Sequence, residues 1–213
     1  MTLENKLKGS IQHDLIFGTH KFELEDKHLE NCKVISNRIN LLDYLPKESV
    51  CAELGVLEGK YTKEIISRTN PTELVLIDID SDSDRIIPYQ VDEIDNPYKG
   101  YFIEGDSVEV MNTFKDNYFD WVYIDTDHSY ELTKRELEVC SHKVKDDGYI
   151  ALHDYIWYDY FNSILDDSDI YFGVVKAVNE FILSRGDYEV KYLTLESGMY
   201  NTIVIRKING TNR

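Results

Sequence analysis

Two short segments place histidine beside aspartate at spacings that suit proton transfer or metal binding. Asp125, Asp127 and His128 follow one apolar run, and His153 and Asp154 follow another. Nearby carboxylates favour the charged form of an imidazole and keep its pKa near a working pH, so His128 is a candidate residue of a catalytic or metal site. The carboxylates of Asp125 and Asp154 suit Mg²⁺. The two imidazoles would instead suit a zinc-type ion, and a catalytic site without any metal also remains open.

A glycine-containing turn after the apolar run 50–54 could hold a nucleotide. Gly55 and Gly59 are spaced G-x-x-x-G, so the G-x-G-x-x-G order of dinucleotide sites is absent. Glu53 and Glu58 add negative charge beside this turn. A carboxylate ~4 Å from a phosphate costs roughly 1–4 kcal/mol, whereas the same charge attracts a cation. The turn therefore favours an adenine nucleoside that carries a sulfonium and an ammonium over NAD.

Further polar residues end the next two apolar runs. Asp78 could accept hydrogen bonds from both ribose hydroxyls of a nucleoside, or it could cap the following helix. Asp106 precedes Ser107 and a helical run, so it either contacts the adenine edge or caps that helix. Both readings stay open for each aspartate.

The elements that must position these residues alternate along the chain. Short apolar runs predict buried strands at 50–54, 74–77, 101–103, 120–124 and 149–152. Helical spacing fits residues 58–68, 106–115, 130–144 and 174–183. Alternating strands and helices predict an α/β fold with a doubly wound, mostly parallel sheet. Because ligands bind beyond the carboxyl ends of such strands, the candidate residues should share one rim.

The two ends of the chain differ from this alternating core. Apolar spacing over 29–45 predicts an amphipathic helix, so residues 1–46 are expected to form an N-terminal helical extension or cap. Residues 47–213 are then one globular domain. The segments 188–193 and 201–205 predict a C-terminal antiparallel hairpin at one edge of the sheet.

Two irregular segments interrupt the pattern. Asp154–Phe161 is rich in aromatic residues and follows the fifth strand, so it is either a hydrophobic plug or an aromatic wall around an organic substrate. Residues 81–96 are acidic and without periodicity, which is typical of a surface loop or short helix.

Composition narrows the class of protein and its partners. The 213 residues carry a net charge of −17, which excludes a general nucleic-acid binder because phosphate contacts need a basic surface. The three cysteines are odd in number and lack C-x-x-C spacing, which favours a reduced, cytoplasmic setting. No apolar run approaches ~18 residues, so we expect no membrane association. A small molecule is the expected partner, and a homodimer is a candidate assembly.

With these residues in view, the chain resembles the class I S-adenosylmethionine-dependent methyltransferases. The loop Glu53–Gly59, the acid Asp78 and the pair Gly105–Asp106 match the cofactor motifs of that superfamily in order and spacing. Three later segments are similar to a bacterial branch that includes sugar O-methyltransferases of macrolide biosynthesis and cephalosporin-tailoring-like proteins. They are Tyr123–Glu131, Lys145–Tyr155 and Gly173–Phe181. The resemblance covers residues 48–206 and implies a seven-stranded, Rossmann-like sheet.

The resemblance also implies roles for individual residues. The cofactor-binding positions are Glu53, Gly55, Gly59, Asp78, Asp106, Ser107 and Asp125. The magnesium ligands of metal-dependent members fall on Asp125, His153 and Asp154. His153 departs from the oxygen ligands of the family, which weakens the case for magnesium. The proposed base of the family falls on His128, with Asp125 orienting the substrate hydroxyl.

The function that follows is transfer of a methyl group from S-adenosylmethionine to a hydroxyl of a sugar or another small organic acceptor, with Mg²⁺ as a candidate second cofactor. Fold does not fix reaction, so two alternatives stand beside it. One is a different enzyme on the same fold, such as a metal-dependent hydrolase or a hydroxylase-like protein. The other is a non-catalytic, cofactor-binding partner protein.

Overall fold

Strands and helices alternate along the chain, as the hydrophobic pattern predicts. The computed structural model describes residues 22–79, 99–156, 172–198 and 200–208. The strands are β1 (Lys33–Ile35), β2 (Val50–Leu54), β3 (Glu73–Asp78), β4 (Lys99–Glu104), β5 (Phe119–Ile124), β6 (Val144–Leu152), β7 (Tyr188–Thr194) and β8 (Ile203–Lys207). The helices are α1 (Asp26–Leu29), α2 (Arg38–Leu41), α3 (Lys60–Thr69), α4 (Ser107–Asn112), α5 (Tyr130–Lys143) and α6 (Val174–Ser184), with a 3₁₀ turn at Leu42–Tyr44.

The strands form one sheet in the order β1-β7-β8-β6-β5-β2-β3-β4. Strands β2 to β6 run parallel, and β8 pairs antiparallel with both β6 and β7. The doubly wound, mostly parallel sheet and the C-terminal antiparallel hairpin are thus confirmed. Residues 81–96, and 157–161 of the aromatic segment, lie outside the described residues.

The strand count is eight among the described residues, one more than expected, because the predicted helix at 29–45 was wrong. Lys33–Ile35 is extended and pairs in parallel with β7, with Lys33 opposite Tyr192 and Ile35 opposite Thr194. The β-branched pair Val34 and Ile35 suits a strand, and pairing satisfies the backbone groups of β7 at the sheet edge.

Two apolar cores cover the two faces of the sheet, which explains the continuous apolar runs of the central strands. One core contains Met111, Leu137 and Phe181 from α4, α5 and α6, together with Leu54 and Val122. The other contains residues of α2, the 3₁₀ turn and α3, including Leu41, Leu42 and Ile65. Every helix in the described ranges is too short or too polar to span a membrane.

The sheet order places a crevice at the carboxyl end of β2. From β2 the chain winds outward through β3 and β4, and then returns to the other side of β2 as β5 and β6. Such a reversal is where open α/β sheets bind their ligands. The rim residues therefore meet where β2, β3 and β5 end.

Candidate active site

The turn after β2 requires glycine at its first position. Gly55 has φ +84°, and a Cβ there would lie 2.0 Å from the backbone oxygen of Asp125. The backbone N–H of Gly55 donates to Ile77 O at 2.9 Å, which fixes the turn against β3. Gly59 has φ +65° and immediately precedes α3. The two glycines thus form the tight strand–turn–helix connection that their spacing predicts.

Asp78 stabilises this turn through hydrogen bonds. Its Oδ2 accepts hydrogen bonds from the backbone N–H groups of Val56 at 2.7 Å and Leu57 at 2.9 Å. The sequence offered ribose binding or helix capping for this carboxylate, and the structure adds a third role in shaping the loop. The side chain also lines the adjacent cavity, so ligand contact remains compatible with that role.

A cavity of about 270 Å³ opens between the ends of β2, β3, β4 and β5. Its lining residues are Gly55, Leu57, Ile77, Asp78, Ile79, Gly105, Asp106, Ser107, Asp125, Thr126, Asp127, His128 and Leu132. Asp106 caps α4, since its Oδ1 accepts from the backbone N–H of Glu109 at 2.9 Å. Helix capping was one of the two roles that the sequence allowed for Asp106. Its position on the cavity wall is also compatible with the other role, contact with the adenine edge.

A buried carboxylate behind this cavity was missed from the sequence. Glu136 on α5 is fully buried, and it accepts hydrogen bonds from the hydroxyls of Ser107 at 2.5 Å and Thr126 at 3.0 Å. Burial raises its pKa to about 7, although both hydroxyls act in the opposite direction. A glutamate next to Leu137 and at helical spacing from Cys140, two apolar residues of α5, was the available signal.

Glu53 lies beside a second cavity, on the other side of the glycine turn. Its side chain is buried and accepts a hydrogen bond from the Thr62 hydroxyl at 2.5 Å. Burial raises its pKa to about 8. The second cavity measures about 370 Å³ and is lined by Arg38, Glu53, Gly55, Val56, Leu57, Glu58, Lys60, Tyr61 and Asp125. The two cavities share Gly55, Leu57 and Asp125.

The two histidine–aspartate segments meet at the ends of β5 and β6, as predicted. Nδ1 of His128 lies 3.0 Å from Oδ2 of Asp154. Nδ1 of His153 lies 3.2 Å from Oδ1 of Asp125 and 3.0 Å from Oδ1 of Asp154. That nitrogen is within ion-pair distance of both carboxylates but is aligned for a hydrogen bond with neither. Asp127 does not join the group and instead accepts from the backbone N–H of Ser129 at 2.8 Å.

The contacts within this histidine–aspartate cluster shift the pKa values of His128, His153 and Asp154. Burial lowers the pKa of His128 and His153, but the contacts with Asp154 and Asp125 outweigh it. The net effect raises the pKa of His128 above its usual value and that of His153 to about 9. Burial alone would raise the pKa of Asp154, yet the two imidazoles hold it well below its usual range.

The same cluster could hold a metal ion. Single ligand atoms of Asp125, His128 and Asp154 all lie within 4.8 Å of one another. The sequence had grouped His153 with the two aspartates, whereas the geometry brings His128 into the set. Asp154 Oδ1 and His153 Nδ1 are buried without a hydrogen-bond partner in the described part of the chain. This donor set of oxygen and nitrogen atoms fits a divalent cation.

Arg38 is a second site residue that the sequence did not indicate. It lies in α2, and its Nη1 contacts the Tyr123 hydroxyl at 3.4 Å and Oδ2 of Asp125 at 3.2 Å. Its guanidinium carbon lies 5.1 Å from the centre of the Tyr61 ring. The N-terminal segment therefore brings a permanent positive charge to the strand ends.

Comparison with known proteins gives one match to a protein family, and that match covers most of this site. A family model described as a methyltransferase domain matches residues 52–155. This range contains every site residue predicted from the sequence, and it stops short of Arg38. No curated protein sequence matches the chain.

Solved structures share the fold at low sequence identity. The O-methyltransferase from Bacillus cereus, in complex with SAH, has a TM-score of 0.58 and 13% identity over 98% of this chain and 93% of that one. The MycE methyltransferase of the mycinamycin pathway, in complex with Mg, SAH and mycinamycin VI, has a TM-score of 0.54 and 18% identity over 81% of this chain and 48% of that one. The spermidine synthase from Thermotoga maritima has a TM-score of 0.53 and 16% identity over 89% of this chain. This chain spans only 61% of that synthase.

Proposed function

We propose that this chain is a class I, S-adenosylmethionine-dependent methyltransferase and that it methylates a hydroxyl oxygen of a small organic acceptor. We choose oxygen as the methylated atom because His128 contacts Asp154 beside the first cavity. A hydroxyl must lose its proton as it attacks the methyl group, and an oriented imidazole is the group that takes it.

The cofactor would lie with its adenosine in the first cavity. Asp78 supplies a carboxylate for the ribose hydroxyls, and Asp106 with Ser107 lies where the base would end. Leu57 and Ile79 are 70% and 76% exposed, which is unusual for large apolar side chains beside a cavity. They offer apolar surface to the faces of an adenine ring. The structures of relatives with bound SAH support this choice of cofactor.

The proton would move to His128. The base is the neutral form of His128: with its Nδ1 facing Asp154, Nε2 is the ring nitrogen left to accept the proton of the acceptor hydroxyl. Asp154 fixes the ring orientation and stabilises the imidazolium that forms, because the two charges lie in a largely buried contact. Asp125 orients the attacking hydroxyl toward the sulfonium methyl, so that oxygen, carbon and sulfur are in line.

A divalent cation is the second cofactor that we propose, held by Asp125, His128 and Asp154 with His153 beside them. A cation held by these residues would supply Lewis-acid polarisation of the acceptor hydroxyl. The two carboxylates suit Mg²⁺, which the MycE relative contains, and the imidazoles suit zinc-like ions. A ligand role for His128 competes with its role as a base, and activity measured after treatment with a chelator separates the two.

Four further aspects belong to the same proposal. The acceptor is a sugar or another hydroxylated small molecule, and nucleic acid is disfavoured by the net charge of −17. The N-terminal extension predicted over residues 1–46 would contribute to the site of the domain 47–213 through its described part, from which Arg38 reaches Asp125. The three cysteines are unpaired, which agrees with a reduced, cytoplasmic setting, and the assembly proposed is a homodimer.

Calorimetry with S-adenosylmethionine and S-adenosylhomocysteine tests the cofactor, and transfer of a radiolabelled methyl group to a panel of sugars and phenols tests the reaction. We expect binding of both nucleosides and a labelled O-methyl product that requires His128. Absence of binding would reject the proposal. Binding without transfer, together with cleavage of an acceptor ester, would favour the metal-dependent hydrolase instead.

A further inference from the structure

Resting on the proposed function, we infer that Arg38 binds the carboxylate of the cofactor's amino-acid end in the second cavity. The first cavity measures about 270 Å³, slightly below the ~300–1,000 Å³ that is typical for small-molecule sites. The first cavity can hold the adenosine, but it leaves no room for the amino-acid end of the cofactor. The second cavity of about 370 Å³ meets the first at Gly55 and Asp125. The amino-acid end therefore has a direct path past the glycine turn.

The charge of the second cavity fits a zwitterion. The amino-acid end carries one ammonium and one carboxylate, and Asp125 and Arg38 face each other at 3.2 Å on the cavity wall. Lys60 is the other cation on this wall, but its ammonium lies 2.5 Å from the Glu58 carboxylate and its side chain is 84% exposed. Arg38 is therefore the better-ordered partner for a ligand carboxylate in a chain whose net charge is −17.

The backbone and side chain of Arg38 are both held in place. Its backbone N–H donates to the Glu196 side chain, and its backbone oxygen accepts from the Tyr61 hydroxyl at 3.1 Å. The guanidinium stacks on the same tyrosine ring. Its contacts with Tyr123 and Asp125 both use Nη1, so they do not engage the Nε and Nη2 hydrogens. A guanidinium fixed in this way is suited to bidentate binding of a carboxylate.

The test compares two ligands that differ only in the carboxylate. Calorimetry would measure S-adenosylhomocysteine and its decarboxylated analogue, S-adenosyl-3-thiopropylamine, against wild type, Arg38→Gln and Arg38→Lys. We expect Arg38→Gln to weaken S-adenosylhomocysteine roughly 10–100-fold, as for loss of a hydrogen bond to a charged group, and to change the analogue less than about 2-fold. The affinity of Arg38→Lys for S-adenosylhomocysteine should lie between those of wild type and Arg38→Gln, because lysine keeps the positive charge but cannot bind a carboxylate bidentately.

Arg68→Gln is the matched control, because this arginine pairs with Asp43 and Glu64 away from both cavities and should leave both affinities unchanged. If Arg38→Gln lowered the affinity for both ligands equally, the role of Arg38 would be structural and the inference would be overturned. Unchanged affinity of Arg38→Gln for both ligands would also overturn the inference. If this variant then raised only the KM for the acceptor, Arg38 would be assigned to acceptor binding. A wild type that binds neither ligand would reject the proposed function as well, whereas equal wild-type affinities for both would reject only the role of Arg38.

Discussion

Nδ1 of His128 and Oδ2 of Asp154 lie 3.0 Å apart, and both residues have left-handed backbone conformations, with φ +62° and +55°. Each residue follows the end of one of two adjacent parallel strands, β5 and β6. A left-handed conformation at a non-glycine residue costs on the order of 1–3 kcal/mol and recurs at functional sites. The two left-handed residues are thus the ones whose side chains meet between the ends of adjacent strands.

Replacing His128 should remove the base without removing the cofactor. We expect His128→Ala to lower kcat by roughly 10²–10⁴-fold, which is typical of the loss of a general base. Asp154→Asn should lower kcat less, since an amide oxygen still accepts from Nδ1. Calorimetry with S-adenosylhomocysteine is the control, and its affinity should change less than about 3-fold in both variants. An unchanged kcat for His128→Ala would eliminate the histidine as the base.

The glycine turn gives a prediction on steric grounds. A methyl group at Gly55 would meet the backbone oxygen of Asp125 at 2.0 Å, and neither the turn nor β5 can move away without breaking strand contacts. We expect Gly55→Ala to lower the free energy of unfolding by at least about 2 kcal/mol and to abolish S-adenosylhomocysteine binding. Urea unfolding and calorimetry measure the two effects.

Gly100→Ala is the control for that substitution, because its Cβ would meet its nearest neighbour, Leu74 O, at an ordinary 3.8 Å. Its effect on unfolding should stay within about 1 kcal/mol. Similar losses from both substitutions would mean that the close approach of β5 does not restrict the turn.

Two substitutions of Asp78 should distinguish a structural role of this residue from a role in ligand binding. Asp78→Asn keeps a carbonyl oxygen for the N–H groups of Val56 and Leu57, so the melting temperature should change little. Loss of the charged acceptor should weaken S-adenosylhomocysteine at least about 10-fold. Asp78→Ala should lower both the affinity and the melting temperature. Equal affinity of Asp78→Asn and wild type would confine this residue to holding the turn.

The metal proposal is testable in the absence of any acceptor. A cation that binds only the folded state raises its stability in proportion to the logarithm of ligand concentration. We expect Mg²⁺ or Mn²⁺, added after treatment with a chelator, to raise the melting temperature of wild type, but not of the double variant Asp125→Asn, Asp154→Asn. Activity that survives the chelator, while His128→Ala is inactive, would assign this histidine to proton transfer alone.

The sequence predicted what is local and missed what is brought together by the sheet. Gly55 and Asp78 were found because strand, turn and strand are contiguous and each element has its own hydrophobic period. The contact of Arg38 with Asp125 joins residues 87 positions apart, and nothing in the local pattern of either residue specifies it. The strand β1 was mistaken for helix for the same reason, since its pairing with β7 outweighs the helical spacing of its neighbours.

Glu136 gives a pH dependence whose sign can be worked out. Its pKa is about 7 in the folded protein against 4.5 ordinarily, so between these values the folded state holds a proton that the unfolded state has lost. Stability must therefore fall as pH rises through this window, and the fall is complete above the folded pKa. Glutamine cannot ionise, so Glu136→Gln lacks this contribution while it keeps an acceptor oxygen for one of the two hydroxyls.

The free energy of unfolding of Glu136→Gln relative to wild type should therefore increase by about 2 kcal/mol between pH 5.5 and pH 8.5. Urea unfolding at several pH values measures this difference, and comparing the two proteins cancels the titration of every other group. A constant difference between Glu136→Gln and wild type would mean that Glu136 is already ionised at pH 5.5. Ser107 and Thr126 would then donate to a full negative charge across the whole range, and their oxygens would face the cofactor only as acceptors.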